Sequence, residues 1–448
     1  MTAFTNAPTL GWDLVYAVES GALNEQLAKT MTPLQVEGAL DTMSLTADAI
    51  KWSIVPGGSG PVLYIQLDLA NGMLKDDAQL LPFSANIVVD VQLSSFTQGE
   101  RLDFKVIMAS EAPFTVQSSV ITPAISLLHQ SFIETAVQRW LRANPKYFSQ
   151  VLAQIDMTPM ESQLAHSWLR PTLVSYAWTD RPGKGDGVLA LLAMTNGRDK
   201  PVHDNQVCAT AIPEGDHAAI LISPHLLLDW IIRPAMGAAY KLADLDALKL
   251  EDAPPVLRLS EPQQIPPVTD NGKNYPATLN TLSIAFTGNE LQCASEVCVD
   301  KGELSEYTAV RSRHKLAVEP DAEGKPSVCF VEIVPPEMEQ STEMKESFIR
   351  EARNKATATL LIGSALAFMI GGPIAVTIML VSATTSGIFA ATPAIAYYLD
   401  KTEPHPVDLL CLNATRAFNW HGGEQFFLRS VSLVESFCLS GSPWEETR

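Results

Sequence analysis

The side chains of this 448-residue chain that could do chemistry are few and scattered. Asp13 stands beside Trp12 in an apolar stretch, where a carboxyl could act as a general acid. No partner base is near, so the preferred reading is a structural carboxylate satisfied by backbone donors close to a helix start. His225 and Asp229 are four apart on an expected helix, a spacing for a surface contact worth about 0.3 kcal/mol. His203-Asp204 falls in a polar loop and reads as a solvated pair rather than a metal site. The six cysteines, at 208, 293, 298, 329, 411 and 438, have no zinc-ligand spacing. Cys293 and Cys298 would face opposite sides of a strand. All six read as reduced core thiols made in a reducing compartment. No catalytic site, no metal site and no cofactor is expected.

Two other clusters need weighing. Gly183-Lys184-Gly185-Asp186-Gly187 has the composition of a phosphate cradle. It lies between two strand patterns without the helix such a cradle needs, so it reads as a hairpin loop. Gly57 to Gly60 sits in a turn and does not form a nucleophile elbow. Arg311, Arg313, His314 and Lys315 are the best candidate for meeting anionic head groups. The competing and preferred reading is a solvated turn or edge strand carrying charge. The formal charge of −19 repels nucleic acid and favours basic partners.

The elements that must position these residues follow from periodicity. Trp12, Leu14, Tyr16 and Val18 alternate as a strand, and Leu23 and Leu27 mark a helix ending before Pro33. Leu63 to Leu69 and Ile87 to Leu93 alternate cleanly, with strands continuing from Leu102 to Val120. Thr122-Pro123 is expected to open a helix whose face is Ile125, Leu128, Phe132, Ala136 and Trp140, stopping before Pro145. Strands are expected over Thr172 to Trp178, Gly187 to Thr195 and Ala218 to Ile222. Ser223-Pro224 caps a helix to about Tyr240, with Leu227, Ile231 and Ala235 on one face. Ala253 to Val268 reads as a Pro-rich connector. Further strands are expected around Leu282 to Phe286, Cys329 to Ile333, Leu409 and Phe426 to Val434.

Residues 356 to 399 carry no charged side chain. Gly371, Gly372 and Pro373 split the run, which reads as two apolar helices joined by a turn. The first, Ala356 to Ile370, would be about 22 Å long at 1.5 Å per residue. That is short for a bilayer core of about 30 Å, which favours a buried hairpin over a membrane span. Met1 to Pro8 has neither a basic region nor an apolar core, so no Sec signal is expected. Synthesis in the cytoplasm and any release by a non-Sec route follow as expectations.

A strand, a helix, a long antiparallel region and another helical element occur in that order twice. The expected fold class is therefore α+β, as two similar tandem modules over 1–215 and 216–448. The apolar hairpin, at about 343–399, belongs to the second.

Thr9-Leu10-Gly11-Trp12-Asp13-Leu14-Val15-Tyr16, followed by Leu23-Asn24, resembles the opening of the clostridial P-forty-seven proteins, encoded with botulinum neurotoxins in orfX-type clusters. Leu169-Arg170-Pro171, Tyr176-Ala177, Leu189 to Thr195, Ile231-Ile232-Arg233-Pro234 and Phe418-Asn419-Trp420 match in the same order. The resemblance implies the tubular lipid-binding (TULIP) fold, a strongly curved antiparallel sheet wrapped round a long helix with an apolar groove. It implies no catalytic residues, and it makes Trp12, Tyr16 and Pro234 core and turn positions.

The expected function is binding of lipid or another hydrophobic ligand by an accessory protein of a bacterial toxin cluster, with peripheral membrane contact and no nucleic acid. Candidate lining residues are Leu361, Phe368, Ile374, Ile378 and Phe389; Arg311, Arg313 and Lys315 are the head-group candidates. Two alternatives stand beside it. One is a protein–protein scaffold of a toxin assembly whose groove the hairpin plugs. The other is a membrane-inserting component.

Overall fold

A computed structural model describes residues 7–40, 42–77, 79–98, 101–107, 115–144, 150–156, 170–195, 197–199, 201, 205–252, 254–270, 273–302, 304–320, 326–344, 418–423 and 426–444. The first half runs β1 (Leu14–Glu19), α1 (Ser20–Thr30), β2 (Leu34–Leu40), β3 (Met43–Ser59), β4 (Val62–Asp76), β5 (Gln79–Gln98), β6 (Arg101–Ile107), β7 (Val116–Thr122), α2 (Leu127–Ala143), β8 (Val151–Asp156), β9 (Pro171–Arg181) and β10 (Asp186–Thr195). Next come β11 (Ala218–Ile222), α3 (Pro224–Leu227), a π-helical turn (Leu228–Ile232) and α4 (Arg233–Tyr240). The strands resume as β12 (Leu248–Asp252), β13 (Pro255–Leu259), β14 (Gln263–Asp270), β15 (Lys273–Thr287), β16 (Glu290–Asp300), β17 (Leu304–Pro320), β18 (Pro326–Glu332) and β19 (Glu337–Met344). The last three are β20 (Phe418–Trp420), β21 (Phe427–Ser432) and β22 (Phe437–Ser442).

These strands make three antiparallel sheets. One eight-stranded sheet is ordered β2-β3-β4-β5-β6-β8-β20, with β7 also on β5. A second is ordered β12-β13-β15-β16-β17-β18, with β14 on β15 and β19 on β17. The third is six-stranded, β21-β22-β11-β1-β10-β9. The α+β class fits this content. Strands from both sides of residue 215 share the six-stranded sheet, and β20 joins β8 in the first one.

Alternation decides which face is covered. On β4, Leu63, Ile65, Leu67 and Leu69 are buried, and on β5 Ile87, Val89, Val91 and Leu93. Each such side chain contributes about 2 kcal/mol on burial. The six-stranded sheet is buried on both faces, which explains its near-continuous apolar strands. Leu14, Tyr16 and Val18 face the large core shared with both eight-stranded sheets. Val15 and Ala17 face a smaller core with Trp12, Leu192, Val207, Ala211 and Ile212.

Three side chains, two of them from the motifs, act as pins between these layers. Asn24 on α1 donates to the Ile54 carbonyl and accepts from its N–H, both at 2.8 Å. Tyr176 on β9 donates its hydroxyl to the Pro61 carbonyl at 2.7 Å and accepts from Leu93 N–H at 2.8 Å, tying the six-stranded sheet to β4 and β5. Asn289, in the β15–β16 turn, accepts from Leu433 N–H at 2.7 Å.

The structure corrects several expectations. Thr122 ends β7, paired with Ser84, and does not open a helix. Helix α2 starts at Leu127, where Ser126 Oγ accepts from His129 N–H at 3.2 Å. Its buried stripe is Phe132, Ile133, Ala136, Val137, Trp140 and Leu141, and Leu128 is exposed. The Pro-rich stretch from 253 contains strands β13 and β14. A register shift between Ile265 and Val268 takes up Pro266-Pro267, which have no N–H to give the ladder. Pro234 is helical rather than a turn residue. Arg233 N–H bonds the Leu228 carbonyl five residues back, and this wider turn makes room for the proline ring. The strands β20 and β22 were not foreseen. Residues 356–399, His203-Asp204 and Leu409 lie outside the described residues.

Candidate functional site

The inner apolar faces of the two eight-stranded sheets are the first candidate for a binding surface. Leu279, Leu282, Ile284, Leu291, Val297 and Val299 of the second sheet belong to the same core as β4 and β5 of the first. Leu226 to Leu228, Ile231 and Ile232 of the helical segment pack into it as well. The candidate lining residues Leu361, Phe368, Ile374, Ile378 and Phe389 lie outside the described residues.

Asp13 is fully buried and held structurally. It accepts from Thr195 N–H at 2.8 Å and Thr195 Oγ1 at 3.1 Å, and it pairs with Arg198. Burial lifts its carboxyl above the ordinary range, against the Thr195 bonds and the Arg198 charge that lower it. Arg198 also lies 3.3 Å from His225 Nδ1, and His225 Nε2 is 3.2 Å from Asp252. Asp229 instead pairs with Arg233 at 3.2 Å, so the expected His225–Asp229 contact does not form. Burial first, then the Arg198 charge, push the His225 imidazole below its usual value. The chain of groups joins β1, the end of β10, α3 and β12. Its carboxylate and guanidinium are occupied by each other, which suits a tie rather than proton transfer.

A polar seam crosses the inner face of the second sheet. His314 is 2% exposed, with Nε2 at 3.0 Å from Ser312 Oγ and no partner for Nδ1 among the described residues. Burial lowers its imidazole to about 4. Cys293, register partner of Ser312, has its thiol pushed up to about 12 by burial, so it stays protonated and unreactive. Cys298, on the same strand, is only half-buried, as the five-residue spacing requires.

Arg311, Arg313 and Lys315 line one exposed face of β17, and His314 points to the other. The strand is not an edge: it pairs with β16, β18 and β19. Arg311 lies 3.6 Å from Glu339 and Arg313 lies 3.6 Å from Glu290. Both arginines flank a groove of about 230 Å³ with Ser283, Gln292, Val334 and Glu337. Glutamates thus match most of the local positive charge, and an anion must displace them.

A larger cleft, about 480 Å³, lies between β2 and α2. Glu37, Leu40, Phe132, Arg139 and Trp140 are among its walls. Sequence reasoning missed it, because a helix crossing an edge strand is a tertiary fact. Its one local signal is Gly38: a Cβ there would sit 2.6 Å from the Ala136 Cβ, so only glycine lets α2 approach. Among the described residues, no helix is long and apolar enough to cross a membrane, and no group of His, Cys, Asp and Glu is placed to hold a metal.

A family model described as "OrfX-like: Protein OrfX2/OrfX3/P47" matches residues 9–441. Protein OrfX3 of Paraclostridium bifermentans is 23% identical, with 97% of this chain and 98% of the relative covered. Protein OrfX3 of Clostridium botulinum (strain Kyoto / Type A2) is also 23% identical, over 97% of this chain and 98% of the relative. The structure of P47 from Clostridium botulinum A2 superposes with a TM-score of 0.68 at 16% identity, covering 97% of this chain and 98% of that one. These sheets and helices are therefore similar to those of P47.

Proposed function

Because this chain belongs to the OrfX-like family of OrfX2, OrfX3 and P47 proteins, we propose that it is a non-enzymatic binder of lipid or another hydrophobic ligand and an accessory component of a bacterial toxin cluster. The observation that carries the reading is the single apolar core shared by two long antiparallel sheets and the helical segment Pro224 to Tyr240. Such surfaces hold hydrocarbon through buried area alone, at about 25 cal/mol per Å², and need no distinctive polar residue. The tubular lipid-binding architecture fits this reading as two wrapped modules, 1–215 and 216–448, joined through the six-stranded sheet.

The buried polar groups support a non-enzymatic role. Asp13 is engaged by Thr195 and Arg198, and the Cys293 thiol is held protonated. Arg311, Arg313 and Lys315 form a peripheral face for anionic head groups, entered by exchange of the Glu290 and Glu339 contacts. A toxin-complex partner and release by a non-Sec route complete the proposal.

The test is lipid transfer. Purified full-length protein is mixed with donor vesicles carrying a self-quenched fluorescent phospholipid and with unlabelled acceptors. Dequenching that rises with protein concentration is the expected result. A rate equal to the protein-free control overturns the proposal.

A further inference from the structure

We propose that the edge of β2 that no described strand covers, with the cleft it shares with α2, is a docking site for an extended basic segment of a partner protein, which adds to the first sheet as a further strand. This goes beyond ligand binding in the core and uses a different surface.

The backbone geometry carries the argument. Leu40 and Met43 pair across a two-residue connection, which makes them a hydrogen-bonded pair. Pairing continues without a shift to Leu34 and Ala49. Residues 34, 36, 38 and 40 therefore bond β3, and Gln35, Glu37 and Ala39 turn their N–H and C=O groups away from it. β2 is the last described strand of its sheet, and these three residues have no other backbone partner among the described residues. A row of unpaired donors and acceptors is complementary to one thing, another extended backbone.

The walls specify the side chains of that segment. Leu40 and the edges of the Phe132 and Trp140 rings form the apolar part of the cleft, where a small apolar side chain of the incoming strand can sit; Gln35, Thr135, Asn144 and, on the α2 side, Arg139 make the rest of its walls polar. Glu37 is exposed on the edge and lacks an ion-pair partner among the described residues. A strand laid beside β2 puts a side chain opposite Glu37, where Lys or Arg is favoured and Asp or Glu is opposed. The same carboxylate opposes pairing of two copies of β2 and so selects against self-association. The chain's net charge of −19 draws a basic segment in the same direction.

The test pans a phage-displayed library of random peptides longer than β2 against the full chain. Enriched peptides should alternate apolar and polar residues and carry Lys or Arg. In hydrogen exchange, the amides of Gln35, Glu37 and Ala39 should exchange fast in the free protein and slow by about tenfold or more with peptide bound. Glu37→Pro removes an N–H that β3 does not use, and should weaken those peptides by about tenfold with the melting temperature unchanged. Glu37→Lys, which keeps the backbone intact, should instead enrich acidic peptides. Absence of enrichment, protection elsewhere on the chain, or an unchanged charge preference in Glu37→Lys overturns the proposal. None of these results bears on lipid transfer.

Discussion

His314 should make this protein acid-sensitive, and its contribution can be worked out. Unfolded, the imidazole titrates at its ordinary 6.5; folded, burial holds it to about 4. Between those values the unfolded chain binds a proton that the folded chain excludes. Stability is therefore complete above the unfolded value and falls as pH drops towards the folded one. At about 1.4 kcal/mol per pH unit, the full loss is about 3 kcal/mol, of which about 2 kcal/mol is already gone at about pH 5. The cost is real because the ring is 2% exposed and Nδ1 has no waiting partner among the described residues. The assay compares urea unfolding of the wild type and His314→Gln at about pH 7.5 and about pH 5. The difference at the higher pH measures packing, and its change with pH isolates the titration. The variant should lose about 2 kcal/mol less than the wild type on acidification. Equal losses in both proteins would refute the buried neutral imidazole.

Two tyrosines of similar burial should respond in opposite ways. Tyr176→Phe strands the Leu93 N–H and the Pro61 carbonyl, and should cost about 2 kcal/mol in urea unfolding. Tyr16→Phe removes a buried hydroxyl with no partner among the described residues, and should be neutral or stabilising in the same measurement. Asp13→Ala should cost about 3 kcal/mol, because Arg198 and Thr195 lose their shared acceptor; adding Arg198→Met should recover part of that loss.

Much of this fold was legible in the sequence, for reasons visible in particular residues. Alternation on β4, β5 and β15 reports a face that is either buried or wet, a local property, and the unbroken apolar run of β10 reports burial on both faces. Ser223-Pro224 announced its helix because a hydroxyl acceptor and a proline at the first turn suit no other element so well; Ser223 Oγ accepts from His225 N–H at 3.2 Å. Asp13 was read as structural, and the structure supplies Thr195 as its donor. The failures are non-local. Ser126 rather than Thr122 caps α2 because β5 claims Thr122 as a strand partner. The prolines near 266 sit in a strand because a register shift absorbs them. The partition of β17 into a charged outer and a polar inner face was half visible: alternation separates Arg311, Arg313 and Lys315 from His314, but the glutamates that match the arginines come from β16 and β19. Nothing in the local sequence of β2 shows that it is the last of the described strands in its sheet.

The account rests on hydrocarbon being held in the shared core, and native mass spectrometry of the full chain purified without detergent tests that most directly. Binding predicts adducts above the chain mass that vanish after organic extraction and return when the extracted lipid is added back. A bare polypeptide mass, with no adduct after incubation with fatty acid or phospholipid, would contradict it.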